Sequence, residues 1–146
     1  MARIIHDVMT EHGCSGPGFA LHDREVAHMT ATYRGGRAAY YVVERAGEVQ
    51  GGAGFAPLEG AADEDLCELR KMYFLPDCRG RGLGRAMLAL VIDEMRLAGF
   101  RRCYLETTSW MHRAQRLYLQ AGFIQQPAAE GATGHHGCDT FFSLRL

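Results

Sequence analysis

The chain has 146 residues, 47% of them hydrophobic and 23% charged, with a formal net charge of −1. That composition suits one soluble domain spanning 1–146 with a real core, and a charge so near zero gives no reason to expect nucleic acid or an anionic membrane as partner. No apolar run is long enough to span a bilayer and no signal peptide precedes Ile4-Ile5, so a cytoplasmic location is expected.

From Arg3 to His12 the apolar residues Ile4, Ile5, Val8 and Met9 fall at helical spacing, and Gly13 closes that helix. Gly16-Pro17-Gly18 makes a loop. Asp23 reads as the cap of a second helix, with Val26, Met29, Thr30 and Tyr33 on one face and a stop at Gly35-Gly36. Ala38 to Arg45 and Glu48 to Pro57 read as a hairpin turned at Ala46-Gly47. Gly51, Gly52 and Gly54 in its return strand suggest bulges or a close ligand approach. After a small acidic loop, Leu58 to Asp65, a strand runs from Leu66 to Leu75. A helix from Gly82 to Ala98 is expected to bury Leu83, Met87, Leu90, Val91 and Met95 before Gly99 ends it. Arg102 to Thr107 follows as a strand, parallel to Leu66–Leu75 through a right-handed crossover. Met111 to Ala121 is a helix with Ala114, Leu117, Tyr118 and Ala121 inward. Phe123-Ile124 and Asp139 to Leu144 close the chain as an antiparallel pair, with Gly134-His135-His136-Gly137-Cys138 in the loop between them.

The turn between the Leu66–Leu75 strand and its helix carries the strongest chemical signal. Gly80, Gly82 and Gly84 leave bare backbone where something must approach, and Arg79, Arg81 and Arg85 place positive charge beside a helix N-terminus. Such a turn holds phosphate or pyrophosphate. A P-loop is excluded because Gly84 is followed by Arg85-Ala86. A dinucleotide G-x-G-x-x-G is excluded because the last position falls on Arg85 or Met87. What remains, Arg79-x-x-Gly82-x-Gly84, resembles the acetyl-CoA loop of the GNAT superfamily of N-acetyltransferases. Downstream, Ala114-x-x-Leu117-Tyr118-x-x-x-Gly122-Phe123 is similar to that family's last helix and following turn, so the resemblance covers about the second half of the chain.

The resemblance implies an α/β fold with a mixed, mostly antiparallel sheet, helices on both faces, and a splayed parallel strand pair that admits acetyl-CoA. It implies N-acetyltransfer from acetyl-CoA to a primary amine, small molecule or peptide, by direct attack and without a metal. A non-catalytic acyl-CoA-binding or sensor module on the same scaffold is the rival. A homodimer is common among proteins resembling this one. Cofactor contacts are expected from the backbone of Arg79, Gly80, Arg81, Gly82, Leu83, Gly84 and Arg85, and from the backbone of Met72 and Phe74 pairing with the pantetheine arm. Two departures stand out. The first helix starts almost at Met1 where the family usually has a strand first, so that strand is either absent or the sequence starts late, and Met111 stands where the family often has Asn, leaving that polar contact absent or supplied by Ser109 or a water.

On spacing alone Tyr118 reads as a packed core tyrosine; the resemblance makes it the general acid that protonates the leaving thiolate. Alternation places Glu68, Arg70, Met72 and Phe74 on one strand face. The resemblance makes Glu68, six residues before Phe74, the favoured base, and a salt bridge with Arg70 or Arg102 is the alternative. Glu106 is the substitute base. Five scattered cysteines without a CxxC pair read as reduced thiols, and Cys67 as a small buried residue rather than a nucleophile. His135, His136, Cys138 and Asp139 resemble a metal-ligand cluster in composition, but a flexible loop whose histidines touch the acceptor fits them better.

Overall fold

The structure, a computed structural model, describes residues 1–146. It opens on α1 (Ala2–Glu11), whose Ile4, Ile5, Val8 and Met9 are all buried. No strand precedes α1 among these residues. The expected second helix is replaced by two 3-10 turns, Ala20–His22 and Arg24–His28, and one short turn, α2 (Met29–Thr32). Asp23 makes no capping bond, because Lys71 and His135 draw its carboxylate inward. Ion pairs therefore shape this segment more than helical periodicity does.

A hairpin of β1 (Ala39–Arg45) and β2 (Glu48–Pro57) turns at Ala46 and Gly47, both with positive φ, which matches strand twist. Then come β3 (Leu66–Phe74), α3 (Leu83–Leu97), β4 (Arg102–Thr107), α4 (His112–Gln120), β5 (Ile124–Gln126) and β6 (Thr140–Arg145). They build one six-stranded sheet in the order β1-β2-β3-β4-β6-β5. Every neighbouring pair is antiparallel except β3 and β4.

Helices cover both faces. On one, Met87, Leu88, Val91, Ile92 and Met95 of α3 pack with Phe55, Leu69, Phe100 and Leu105. This corrects the expected stripe. Leu88 is 1% exposed and Leu90 is 42% exposed, so the buried face is rotated toward Leu88 and Ile92. On the other face Ile5 and Met9 of α1 join Cys14, Val26 and the ring of Tyr73.

Two features of β3 position the site. It pairs with β4 only through Leu66, Cys67 and Glu68, and beyond Glu68 the two strands part while β4 continues against β6. Opposite β2, Gly52 pairs with Tyr73 and Gly54 with Arg70, so three steps on β3 face two on β2. The extra residue is a bulge at Lys71, whose φ is +53°. Alternation fails there. Glu68 and Arg70 share one face, but Met72 and Phe74 turn to the opposite face and pack against the α3 core, which corrects the expectation of four residues in a row. The glycines of β2 serve this packing and not a ligand. A Cβ at Gly51 would lie 2.4 Å from the Phe74 ring, one at Gly52 2.4 Å from the Tyr41 carbonyl, and one at Gly54 2.5 Å from that of Ala39.

Candidate active site

Where β3 and β4 part, a cleft of about 890 Å³ opens. Met72, Tyr73 and Phe74 of β3 form one wall with Arg79, Gly80 and Gly84. Trp110, Met111, Leu117 and Tyr118 form the other, and Val8, Glu11 and His12 of α1 close one end. The chain leaves β3 through a 3-10 turn, Pro76–Cys78, and reaches α3 through Gly80 (φ +73°) and Gly82 (φ +80°). Gly82 occupies the N-cap in the left-handed region that other residues avoid, and it offers no capping side chain. The amides of Leu83, Gly84 and Arg85 therefore have no intrahelical acceptor, the first intrahelical bond being Ala86 N–H to Gly82 O at 3.0 Å. A Cβ at Gly80 or Gly82 would meet no protein atom within 4 Å, so the protein's own packing does not fill the loop's outer face.

The arginines separate in role. Arg79 donates from Nε to the Phe74 carbonyl at 2.8 Å and makes a bidentate pair with Glu11 at 2.7 Å on both arms. That hydrogen bond holds the Glu11 carboxyl below its usual value. Arg79 thus fastens α1 to the loop. Arg85 reaches Gln120 Oε1 at 3.2 Å and lines a separate groove between α3 and α4. Arg81 is exposed.

Tyr118 lies on the inward face of α4, packed against Phe123 (ring centroids 5.8 Å apart) and Phe142 (6.0 Å), and it also lines the cleft. Burial, then the neighbouring Cys103 and Cys138, push its phenol above its ordinary pKa, so it stays protonated at neutral pH. Met111 lines the cleft and accepts from Thr107 Oγ1 at 3.6 Å. Ser109 does not replace the asparagine contact, since its N–H and hydroxyl both donate to Asp139, at 2.6 and 2.7 Å.

Glu68 does not line the cleft. It lies on the opposite sheet face, 3% exposed, within a buried set of charges that sequence reading missed. Arg70 Nε donates to Glu68 Oε2 at 2.7 Å, and Arg70 also pairs with Glu25 at 3.2 Å. Lys71 pairs with Asp23 and, at 2.8 Å, with Glu25. Tyr33 donates to Glu25 and Tyr40 to the Lys71 carbonyl. Glu106 accepts from Tyr104 and Thr133, each at 2.9 Å. His135 enters from the β5–β6 loop, with Nε2 2.8 Å from Asp23 Oδ2 and Nδ1 3.7 Å from Glu68 Oε1. Burial raises the Glu68 pKa, and Arg70, His135 and Lys71 offset only part of that. No sequence motif marks Asp23, Glu25 or Lys71, and only the Gly52-x-Gly54 pattern opposite hints at the bulge that buries Lys71.

The remaining loop residues scatter. Asp139 is held by Ser109, His135 by Asp23, and burial, ahead of the charge of Glu106, pushes the Cys138 thiol up to about 12. Arg102 pairs with Glu130 and Asp63 rather than with Glu68. Cys67 is fully buried on the core face beside Cys103.

A splayed parallel pair with an anion-ready helix N-terminus at one end of the gap and a tyrosine facing it is the architecture of acyl-CoA-dependent acyltransferases. Residues 5–123 match the model of the acetyltransferase (GNAT) family, and the chain belongs to that family. It is similar to the uncharacterized N-acetyltransferase YjgM of Escherichia coli K12, 42% identical over 140 residues that make up 95% of this chain and 83% of the relative. It is also similar to an IAA acetyltransferase of Azospirillum brasilense, 34% identical over 68% of this chain and 61% of that protein. Among solved structures, a GNAT acetyltransferase from Staphylococcus aureus superposes with a TM-score of 0.81 at 18% identity, covering 99% of this chain and 90% of the other. The yncA protein of Salmonella typhimurium, solved with its cofactor acetyl-CoA, superposes at 0.74 and 24% identity over 97% of this chain and 84% of its own. The chain is thus an acetyltransferase of the GNAT family, and no helix in it is long and apolar enough to cross a membrane.

Proposed function

We propose that residues 1–146 act as a single cytoplasmic N-acetyltransferase domain that moves an acetyl group from acetyl-CoA to a primary amine by direct attack. The observation carrying this is the cleft itself, which joins the open glycine loop to the unpaired edge of β3 and to Tyr118. The residues present fit acetyl-CoA. The free amides at the start of α3 and the loop from Arg79 to Arg85 suit its pyrophosphate, and the β3 backbone at Met72 to Phe74, which has no strand partner on the β4 side, suits its pantetheine arm. When bound, acetyl-CoA supplies an activated acyl carbon. The protein's tasks are then to hold amine and thioester in line, to remove a proton from the incoming ammonium and to give one to the departing thiolate.

Tyr118 donates that last proton, and the second N–H proton, which the attacking nitrogen sheds as the intermediate collapses, restores the phenol; a phenol is already protonated at neutral pH. Glu68, at the root of the splay on the opposite face, takes the proton from the amine. Its burial keeps it basic enough to do so, and Arg70 holds its second oxygen. On this reading donor and acceptor approach from opposite faces of the sheet and meet where β3 and β4 part. Direct attack asks for no metal and no covalent enzyme intermediate.

Calorimetric titration with acetyl-CoA tests the cofactor half. Gly84→Val adds bulk where φ is ordinary and a Cβ would sit 3.5 Å from Leu117, while Gly82→Val adds bulk at a positive φ. Both are expected to lose at least about tenfold in affinity, a loss on the order of 1.4 kcal/mol, with the folded state retained. Unchanged affinity in both variants would remove the glycine loop from the site.

A further inference from the structure

Glu68 is buried, so a proton taken from an amine has to leave it before the next turnover. The cleft does not reach it. Arg70 occupies one oxygen as a permanent donor and accepts nothing. The other oxygen, Oε1, faces Nδ1 of His135 at 3.7 Å, just beyond hydrogen-bond reach, so the transfer needs this gap to tighten when substrate binds. We infer that His135 is the proton exit of this site and Asp23 the carboxylate that orients its ring: His135 takes the proton from Glu68 at Nδ1, Asp23 stabilises the imidazolium so formed, and the ring then gives a proton up to solvent. This rests on the reading of Glu68 as the base.

The geometry gives the direction. A carboxylate oxygen 2.8 Å from Nε2 only accepts, so Nε2 carries the ring's proton in the neutral form and Nδ1 is its acceptor. Nδ1 faces two further carboxylates, Glu68 at 3.7 Å and Glu106 at 4.0 Å. A bare lone pair against two anions is unfavourable, so this end of the ring attracts a proton. Exposure rises along the path. The side chain of Glu68 is 4% exposed, that of His135 11% and that of Asp23 26%. Lys71, paired to the same Asp23 oxygen, keeps Asp23 ionised, so that its charge holds the imidazolium once it forms. Burial would lower the His135 pKa, but the hydrogen bond and charge of Asp23, and then the charge of Glu68, outweigh burial and Lys71 and raise it. The charge of Glu68 raises the His135 pKa and that of His135 lowers the Glu68 pKa against the larger effect of burial, so a proton shared between them rests on the histidine.

Each transfer balances. The ammonium N–H bond breaks as the Glu68 O–H bond forms. That O–H then breaks as Nδ1–H forms, giving an imidazolium whose Nε2–H stays on Asp23 Oδ2. The imidazolium then loses the Nδ1 proton to water or buffer, which leaves the ring in its Nε2–H form. One proton has moved from amine to solvent and no charge is left behind. His135 touches no reacting atom on this account; it is a positioning and relay residue acting through Glu68.

Two measurements test it on the full chain. The first follows the His135 ring by NMR across pH. In the wild type it is expected to titrate above 6.5, and Glu68→Gln and Asp23→Asn are each expected to lower that midpoint. A midpoint indifferent to both variants would overturn the shared proton. The second follows CoA release with n-butylamine as acceptor, or with the fastest amine of a panel. His135→Gln is expected to lower kcat by about 10²-fold in dilute buffer, with KM little changed and the rate rising again with added imidazole, which carries the proton out instead. Loss without rescue in a folded variant would make His135 merely structural. Wild-type rates in His135→Gln with a crippled Glu68→Gln would refute the exit while leaving the base in place. No turnover with any amine would overturn the enzymatic reading on which the inference rests, and the titration would then decide the proton pair by itself.

Discussion

At the scale of single residues the sharpest expectation concerns Tyr118. Its ring packs against Phe123 and Phe142, so Tyr118→Phe keeps the packing and removes only the hydroxyl. Thermal stability should change little. General acid catalysis is worth about 10²–10⁴-fold, and kcat should fall within that range while the KM for acetyl-CoA moves much less. An acetyl donor with a more acidic thiol should recover part of the loss. Wild-type turnover would assign Tyr118 to packing alone. Its inward position was legible from helical spacing, whereas its role was expected only from the resemblance, carried by a local motif with Leu117 beside it and Gly122-Phe123 closing the turn. Lys71 was not, because its burial depends on a bulge set by strand register against Gly52 and Gly54, and one strand's alternation carries no record of its partner's register.

At the scale of elements, the rotated face of α3 has a direct consequence. Leu88→Ala should cost about 2–5 kcal/mol, the usual range for a fully buried leucine, and Leu90→Ala well under ~1 kcal/mol. Urea unfolding of both variants checks this, and equal costs would restore the stripe expected from spacing. The segment before β1 and the β5–β6 loop form a second element-level unit. Gly137 N–H donates to Gly18 O at 3.0 Å, and His135 meets Asp23 just beyond. The His135 pKa is raised on folding, so its contribution is fully present below about 6.5 and is lost as pH rises through the folded value. The Asp23 pKa is lowered on folding, because His135 and Lys71 outweigh its burial. Its contribution is present above about 3.9 and is lost as pH falls through the folded value. The clasp should therefore be tightest between about pH 4 and 6.5. Hydrogen-exchange protection of the Gly137 amide, corrected for intrinsic rate, should peak in that window and flatten in His135→Gln. Spacing suggested a regular helix here because Val26, Met29 and Tyr33 have helical intervals. The ion pairs of Asp23 and Glu25 with β3 lie 45 or more residues away along the chain, and they override the periodicity.

At the scale of the whole molecule, the hairpin, the single parallel pair and the closing antiparallel pair were readable, the helices on both faces were implied by the resemblance, and the full strand order was not readable. Alternation, the glycine loop and the strand-helix-strand order each constrain topology locally. The division of labour between faces was not readable, since it needs the bulge at Lys71 and two distant loops brought together over Glu68. Occupation of the cleft should stabilise the fold by linkage. At a hundredfold excess over Kd, acetyl-CoA should add about 2.7 kcal/mol and raise the thermal midpoint by roughly 5–10 °C, with ATP and NAD doing far less. Acetyl transfer to an amine is a chemical act, and turnover reports it without intermediaries. Acetyl-CoA and the purified protein are incubated with a panel of primary amines, while free thiol is followed continuously and products are identified by mass spectrometry. The expected result is amine-dependent thiol release, matched one for one by an N-acetylated product and reduced at least about 10²-fold in Tyr118→Phe. Saturable acetyl-CoA binding with no amine raising thiol release above background hydrolysis would contradict it, and would leave a binding module on an acetyltransferase scaffold.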